Sequence, residues 1–177
     1  RRGGVRGRLE LDDGQRGRGR AGGGRARGLR GLRPPPEPLL LLLDLLEAAL
    51  HAPSANNSRP WHIVVVRDPQ TRAHLAGVHQ WSRFCAESPV VLAFCADAER
   101  SPHWWIEDLS AAVENAMIEA VSQGLGTCWV GCRGESGRDA TREDYVRKAL
   151  GIPPHIRVLA LVSVGYPAEE SKPKQPG

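Results

Sequence analysis

Polar side chains that could bind a ligand are concentrated in the segment Ala52-Pro-Ser-Ala-Asn-Asn-Ser-Arg-Pro-Trp61. Hydroxyl, amide and guanidinium groups follow one another there between two prolines, which restrict the backbone and favour a fixed loop. Donors and acceptors held in one place can orient a polar small molecule. The same composition also suits an ordinary turn, so the segment alone leaves both interpretations open.

A second segment of interest is Gly124-Leu-Gly126, which precedes the apolar run Thr127–Gly131. Closely spaced glycines after a long stretch of helical periodicity are typical of a helix C-terminus. In the apolar run, Trp129 suits a core position and Cys128 suits a small packed thiol. These residues alone are compatible with a purely structural role.

The sequence has no residue pattern typical of acid–base, nucleophilic or metal-dependent catalysis. The histidines have neither the spacing of a zinc protease nor the order of a Ser/His/Asp triad. They are His51, His62, His74, His79, His103 and His155. The cysteines are too few for a disulfide scaffold and lack zinc-site partners, so we expect free thiols at Cys85, Cys95, Cys128 and Cys132. Asp108 and Glu114 are expected to face solvent or a partner subunit rather than form an acid–base pair.

Alternating helices and strands are predicted to position these segments. Apolar residues at helical spacing predict helices at Leu39–His51, about Gln70–Val78, Trp105–Gln123 and Glu143–Leu150. Short apolar runs bounded by turn formers predict strands at His62–Arg67, Pro89–Ala96, Thr127–Gly131 and Val158–Val164. With 177 residues and 41% apolar content, the chain can bury one core, which favours a single α/β or α+β domain.

An Arg/Gly-rich extension precedes this domain. Residues 1–33 hold eleven Arg and three acids, a net charge of +8, whereas the other 144 residues hold thirteen Lys or Arg and seventeen acids, a net charge of −4. We expect residues 1–26 to be disordered, because they have little apolar surface to bury, and they could stem from outside the native reading frame. The extension lacks aromatic residues that stack on bases, so a nucleic-acid partner is not expected. No run reaches the ~20 apolar residues that span a bilayer, which favours a cytoplasmic protein.

Several motifs together resemble one family of flavoenzymes. The segment Ala52–Trp61 resembles the A-P-S-x-x-N-x-Q-P-W signature of nitroreductases. Asp108-Leu-Ser-Ala-Ala-Val-Glu-Asn115, followed by Gly124-Leu-Gly-Thr-Cys-Trp-Val-Gly131, is similar to the central helix and flavin-contacting strand of that family. Gly151-Ile-Pro153 and Gly165-Tyr-Pro-Ala-Glu169 match its C-terminal pattern in order and spacing. The resemblance covers roughly residues 27–175, which we therefore expect to form an FMN-binding domain (27–177 with the tail).

The resemblance implies which residues face the FMN ring. On the loop they are Pro53, Ser54 and Asn57, with Arg59 standing where the family usually has Gln. A cation there could stabilise reduced, anionic flavin. The segment Gly124-Leu-Gly126, called the glycine bend below, is expected to bring backbone N–H groups close to the ring. The positions concerned are Gly126, Thr127, Cys128, Trp129 and Gly131. The loop and the bend are thus expected to converge on a single isoalloxazine, held at a subunit interface.

The phosphate end departs from the family pattern. Members usually carry Arg-Arg-Ser-x-Arg before the first helix, whereas only Arg27 and Arg30 fall in register here. One lost charge-assisted bond to phosphate costs roughly 1.5–3 kcal/mol. Lys172 and Lys174 lie near a late basic position of the family, and they either compensate or are ordinary tail charges.

The resemblance also implies a fold and a reaction. The fold is an α+β sandwich, with a central, mostly antiparallel sheet flanked by helices and a homodimer formed through the long central helix. The reaction is ping-pong: NAD(P)H reduces FMN at N5, and an electrophilic acceptor such as a nitroaromatic or quinone then takes the electrons in the same site. No side chain is assigned as catalytic. The alternative is a flavin-binding or degenerate member with little activity, because its phosphate motif is altered.

Overall fold

The computed structural model describes residues 8–12, 38–133 and 140–168. Within this part of the chain the helices are α1 (Pro38–Leu50), α2 (Pro69–Leu75), α3 (Trp105–Ser122) and α4 (Ala140–Leu150). The strands are β1 (Arg8–Asp12), β2 (Trp61–Val66), β3 (Val90–Asp97), β4 (Gly126–Gly131) and β5 (Ile156–Gly165). Short 3-10 turns occur at Ala55–Asn57 and Arg83–Ala86.

The strands form one sheet in the order β1-β2-β3-β5-β4. Strands β2, β3, β5 and β4 pair antiparallel, and β1 pairs parallel with β2. The central strand β3 is buried on both faces, because Leu92 and Phe94 point into one apolar cluster while Val91 and Ala93 point into the other. This accounts for its unbroken apolar sequence.

Helices cover both faces of the sheet. One face packs against α1 and α3, and the other against α2 and α4. Helices α1 and α3 run antiparallel, because the Asn115 amide donates to the Ala48 carbonyl (3.1 Å) and the Gln123 amide to Asp44 (3.3 Å). Helix α3 ends where Gly124 adopts a φ of 71°, a left-handed conformation that favours glycine.

One arginine near the start of β5 contacts both helix α4 and the first turn of α3. Arg157, near the start of β5, donates to Glu143 of α4 through Nε (2.7 Å) and Nη2 (2.9 Å). Its guanidinium carbon lies 4.9 Å from the ring centroid of Trp105, at the first turn of α3. Bonding to the Glu143 carboxylate raises the pKa of Arg157. The first turn of α3 is therefore fixed in place.

The α+β class and the eight predicted elements are confirmed, with ends that differ by a few residues. The expectation of disorder over residues 1–26 differs from the structure at Arg8–Asp12, whose backbone pairs with β2. The sequence Arg-Leu-Glu-Leu-Asp has the apolar/polar alternation of a strand, and β2 offers a free edge on that side. The domain boundary at residue 27 stays a prediction. No helix in the described part of the chain is long and apolar enough to cross a membrane.

Candidate active site

The Asn/Ser loop, Pro53–Pro60, has an unusual backbone. Asn56, Asn57 and Arg59 have φ values of 53°, 54° and 47°. Side chains other than glycine rarely adopt this left-handed region, and each such residue costs on the order of 1–3 kcal/mol unless its surroundings impose it. Asparagine tolerates this region better than most residues, so Arg59 is the most unusual of the three, and strain of this kind clusters at ligand-binding loops.

Hydrogen bonds within the loop impose that conformation. Ser54 precedes the 3-10 turn but does not cap it, because its hydroxyl accepts the Arg59 N–H at 2.9 Å instead. The Arg59 Nε then donates to the Asn57 side-chain oxygen at 2.9 Å. Pro53 and Asn57 are exposed, and Ser54 and Arg59 are half-buried. The four loop residues expected to face flavin therefore form one connected, accessible unit.

Asp108 holds this loop by hydrogen bonds from the first turn of α3. It lies in the first turn of α3 with 5% of its surface exposed. Its carboxylate accepts the Ala55 N–H at 2.7 Å, the Ser101 hydroxyl at 2.7 Å and, more weakly, the Ser58 hydroxyl at 3.4 Å. The expectation that Asp108 faces solvent or a partner is therefore wrong, whereas Glu114 is exposed as expected. Asp108 replaces Ser54 as the cap of the 3-10 turn.

The connection between β3 and α3 fastens the other side of the loop. The Arg100 Nη2 donates to the Ser58 carbonyl at 2.6 Å, and the Asp97 N–H donates to the Pro60 carbonyl at 2.8 Å. Together with Asp108, these contacts attach the loop to the N-terminal end of α3.

Strand β4 forms the edge of the sheet and carries the other predicted site residues. It pairs with β5 on one side, and the Cys132 N–H donates to the Leu159 carbonyl at 2.9 Å. Because hydrogen-bonded and outward-facing residues alternate along an antiparallel edge, the backbone N–H groups of Thr127, Trp129 and Gly131 point away from β5. This edge therefore presents a row of backbone donors without a strand partner in the described chain.

A cleft of about 320 Å³ lies along this edge. Cys128, Trp129 and Gly131 line it, and Trp81, Phe84 and Arg133 complete its wall. Trp129 is 38% exposed, so the alternative of a core position is wrong. Trp81 and Phe84 were missed by sequence reasoning, because nothing in Val78–Ala86 marks it as lying beside β4. Aromatic walls next to backbone donors suit a flat, polar-edged ring.

The thiols near this cleft are poor nucleophiles. Burial raises the pKa of Cys85 and of Cys132 to about 12, and it also raises the pKa of the half-buried Cys128. Since the thiolate is the reactive form, these groups are protonated at neutral pH. Cys128 lines the cleft rather than packing inside the core, which corrects the expectation of a packed thiol.

Within one chain, the Asn/Ser loop and the glycine bend lie at opposite ends of the sheet. The loop leads into Trp61, which pairs with Ala96, and Ala96 in turn pairs with Arg157 near the start of β5. Gly126 pairs with Gly165 at the end of β5. Strands β3 and β5 also separate them, which adds roughly 14 Å across the sheet. Convergence on one ring within a single chain is therefore excluded, and a site that uses both segments needs a second copy of the chain.

The residues expected at the FMN phosphate are Arg27, Arg30, Lys172 and Lys174, and all four lie outside the described residues. Their role stays a prediction.

Comparisons with known proteins agree on one family. The model of the nitroreductase family matches residues 27–81 and 78–166. A Thermus thermophilus protein named NADH dehydrogenase is 35% identical in an alignment 176 residues long that covers 83% of this chain and 85% of that protein. A Methanothermobacter thermautotrophicus protein whose name includes NAD(P)H nitroreductase is 34% identical over 131 residues, 73% of this chain and 66% of that protein.

Solved structures show the same fold. An FMN-dependent nitroreductase of Clostridium difficile R20291 superposes with a TM-score of 0.76 at 30% identity, covering 84% of this chain and 87% of that one. The family predicted from the sequence motifs is confirmed. The chain belongs to the nitroreductase family.

Proposed function

We propose that this protein is a homodimeric, FMN-dependent oxidoreductase that uses NAD(P)H to reduce electrophilic acceptors such as nitroaromatics or quinones. The names of similar proteins support the NAD(P)H and FMN parts of this proposal, since they include NADH dehydrogenase, NAD(P)H nitroreductase and FMN-dependent nitroreductase. The identity of the acceptor rests on family resemblance.

One observation carries the proposal: the Asn/Ser loop and the glycine bend lie at opposite ends of the same helix, α3. Asp108 ties the Asn/Ser loop to the first turn of α3, and the glycine bend follows its last turn. Helix α3 has 18 residues and is about 27 Å long. When two copies pair about a two-fold axis with their α3 helices antiparallel, the loop of one copy meets the bend of the other. Such a dimer has two complete sites.

The outer surface of α1 and α3 suits such a pairing. Leu40, Leu43, Ile118 and Val121 are large apolar residues with 45–70% of their surface exposed. Because α1 and α3 run antiparallel, the start of α1 lies beside the end of α3, and these four residues come from adjacent helix ends. Exposed apolar groups gathered in this way mark interaction surfaces.

The described residues fit the ring end of FMN. An isoalloxazine needs donors along its polar edge and a flat apolar wall, which the outward N–H groups of Trp129 and Gly131 and the rings of Trp81 and Phe84 would supply. Ser54 and Asn57 would hold the ring from the partner's side. When bound, FMN supplies hydride transfer, and this chain would orient both reactants over the ring and exclude water.

The experiment is an absorbance spectrum and a light-scattering mass of the purified protein, with and without added FMN. We expect a yellow dimer that binds FMN and oxidises NADH or NADPH when a nitroaromatic is supplied. A monomer, or a dimer that takes up no FMN, would contradict the proposal.

A further inference from the structure

Two arginine side chains flank the Asn/Ser loop, and both are held by hydrogen bonds to it. Arg59 has a left-handed backbone (φ 47°) and donates from Nε to the Asn57 side-chain oxygen at 2.9 Å. Arg100, on the β3–α3 connection, donates from Nη2 to the Ser58 carbonyl at 2.6 Å. Each guanidinium is thus oriented by one bond, which reduces the entropy it would lose on binding a ligand.

Most donors of these two groups remain unused. In the part of the chain that the structure describes, neither Arg59 nor Arg100 forms an ion pair, and each spends one side-chain N–H on the loop. The carboxylate beneath the loop, Asp108, is occupied by Ala55, Ser58 and Ser101. Asp97 accepts the Glu99 N–H at 3.0 Å. Two arginines are therefore bound to neighbouring residues of the loop, Asn57 and Ser58, and each keeps further N–H donors for a ligand.

We propose that Arg59 and Arg100 form a recognition site for an oxyanion, a carboxylate or phosphate, carried by the molecule that exchanges electrons at the flavin. This inference rests on the proposed function, because that function places the loop beside the ring. A planar guanidinium matches the geometry of an oxyanion and can bind it through two parallel bonds. The site would make the enzyme prefer anionic substrates over neutral ones of the same shape.

The position of these arginines predicts where the effect falls in the kinetics. An ionic contact remote from the reacting atoms is made equally in the ground state and the transition state, so it lowers KM and leaves kcat unchanged. Arg59 is half-buried and Arg100 is exposed, so solvent screens both contacts, and removing one charge-assisted bond should raise KM roughly 5- to 50-fold.

The test compares Arg59→Gln and Arg100→Gln with Arg67→Gln, a matched control. Arg67 is exposed and follows β2 at the end of the sheet remote from the loop. The acceptors are 4-nitrobenzoate and 4-nitrobenzamide, which differ in charge but hardly in shape. NADH and NADPH are compared in the same way, since they differ by one phosphate. Calorimetric titration with unreactive benzoate and benzamide gives a readout independent of turnover.

We expect both variants to raise the ratio of KM for 4-nitrobenzoate to KM for 4-nitrobenzamide and to weaken benzoate binding more than benzamide binding, with neither comparison changed in Arg67→Gln. Because Arg59 is also expected to face the flavin, the charged-to-neutral ratio, and not the absolute rate, is the readout for Arg59→Gln. A rise confined to NADPH would support the same site with the dinucleotide phosphate as its ligand. Equal losses for charged and neutral substrates would overturn the proposal, as would weaker binding of FMN with unchanged binding of riboflavin. Should the wild type bind no FMN, the proposed function fails, and benzoate binding by calorimetry still decides whether the arginines bind an oxyanion.

Discussion

At the scale of single residues, Asp108 determines the shape of the Asn/Ser loop. It is a buried carboxylate that accepts hydrogen bonds from the backbone of Ala55 and the hydroxyls of Ser58 and Ser101. Replacing it with Ala leaves a part-buried N–H and a buried hydroxyl without an acceptor, which should lower the free energy of unfolding by about 1–3 kcal/mol. Because the left-handed residues lose their support, we also expect weaker FMN binding. Chemical denaturation and flavin fluorescence titration measure the two effects.

Two further variants separate charge from shape. Asp108→Asn keeps an oxygen for the Ala55 N–H and should cost less in both measurements than Asp108→Ala. Glu107→Gln removes a carboxylate from the same helical turn at an exposed position, and it should change neither. Equal effects of Asp108→Ala and Glu107→Gln would show that the helix terminus, not the anchor, is responsible.

Thiol reactivity should follow burial. The raised pKa values of Cys85 and Cys132, about 12, mean that iodoacetamide finds little thiolate there at pH 8, whereas half-buried Cys128 should react slowly and faster as the pH rises. Peptide mass spectrometry gives the order of modification, and unfolding in urea should expose all the thiols. Added FMN should protect Cys128, because that residue lines the cleft. Modification of Cys85 or Cys132 before Cys128 would contradict this order.

The same pKa shifts predict how stability changes at high pH. A folded-state thiol pKa above the unfolded value of 9.0 means that the unfolded chain loses its proton first. The free energy of unfolding should therefore be unaffected below pH 9 and fall between pH 9 and about 12. A Cys85→Ser/Cys132→Ser variant, compared by denaturation at pH 8 and 10, should lose less stability over that interval.

At the scale of elements, the free edge of β4 can be tested one N–H group at a time. Gly131→Pro removes only a backbone donor that points away from β5, so the sheet should remain intact. We expect FMN affinity to fall roughly 3- to 10-fold, the value of one neutral hydrogen bond. Flavin fluorescence quenching measures the affinity, and thermal unfolding checks the fold.

Gly131→Ala is the matched control for that donor. It keeps the N–H, and the added Cβ would lie 4.0 Å from the Trp129 Nε1, so it causes no clash. If Gly131→Ala weakens FMN binding as much as Gly131→Pro does, the shape of the cleft and not the N–H donor determines the affinity.

Sequence reasoning recovered the elements because each has a local signal. The run Pro89–Ala96 is apolar throughout, and α3 shows helical periodicity that ends in Gly124. The positions of the loop and the bend on the chain followed from motifs in the same way. Their chemistry as flavin contacts stays a prediction.

What sequence could not show is contact between distant residues. Asp108 lies 53 residues from Ala55, and an acidic residue in the first turn of a helix normally needs no partner beyond the helix itself. Trp81 reaches the β4 cleft only through the packing of the Val78–Ala86 segment. Strand β1 has the alternation of a strand, but its pairing depends on the free edge of β2, which its own sequence does not reveal. Each miss is a question of tertiary arrangement.

At the scale of the whole molecule, the question is whether one chain suffices for a site. The loop and the bend are separated by the length of α3, about 27 Å, and by two intervening strands. A dimer through the outer face of α1 and α3 would join them across copies, with each copy giving its loop to one site and its bend to the other. Activity would then depend on pairs of chains.

Mixing two inactive variants tests this directly. Pro53→Trp places a bulky ring on the loop at an exposed position, and Gly131→Trp fills the cleft beside β4. We expect the Pro53→Trp homodimer and the Gly131→Trp homodimer to be inactive. A dimer of one copy of each has one site with both defects and one site with none, so random pairing restores about a quarter of wild-type activity.

The reciprocal mixture supplies the control. When wild type is paired at random with the chain that carries both substitutions, sites shared between copies survive only in wild-type homodimers, about a quarter of the total, because every mixed site has one defect. Sites contained in single chains would instead give about half in this mixture and none in the first. Co-refolded proteins assayed for NADH oxidation therefore distinguish the two arrangements by opposite changes, and neither result depends on how strongly each substitution alters FMN affinity, provided that each homodimer is inactive.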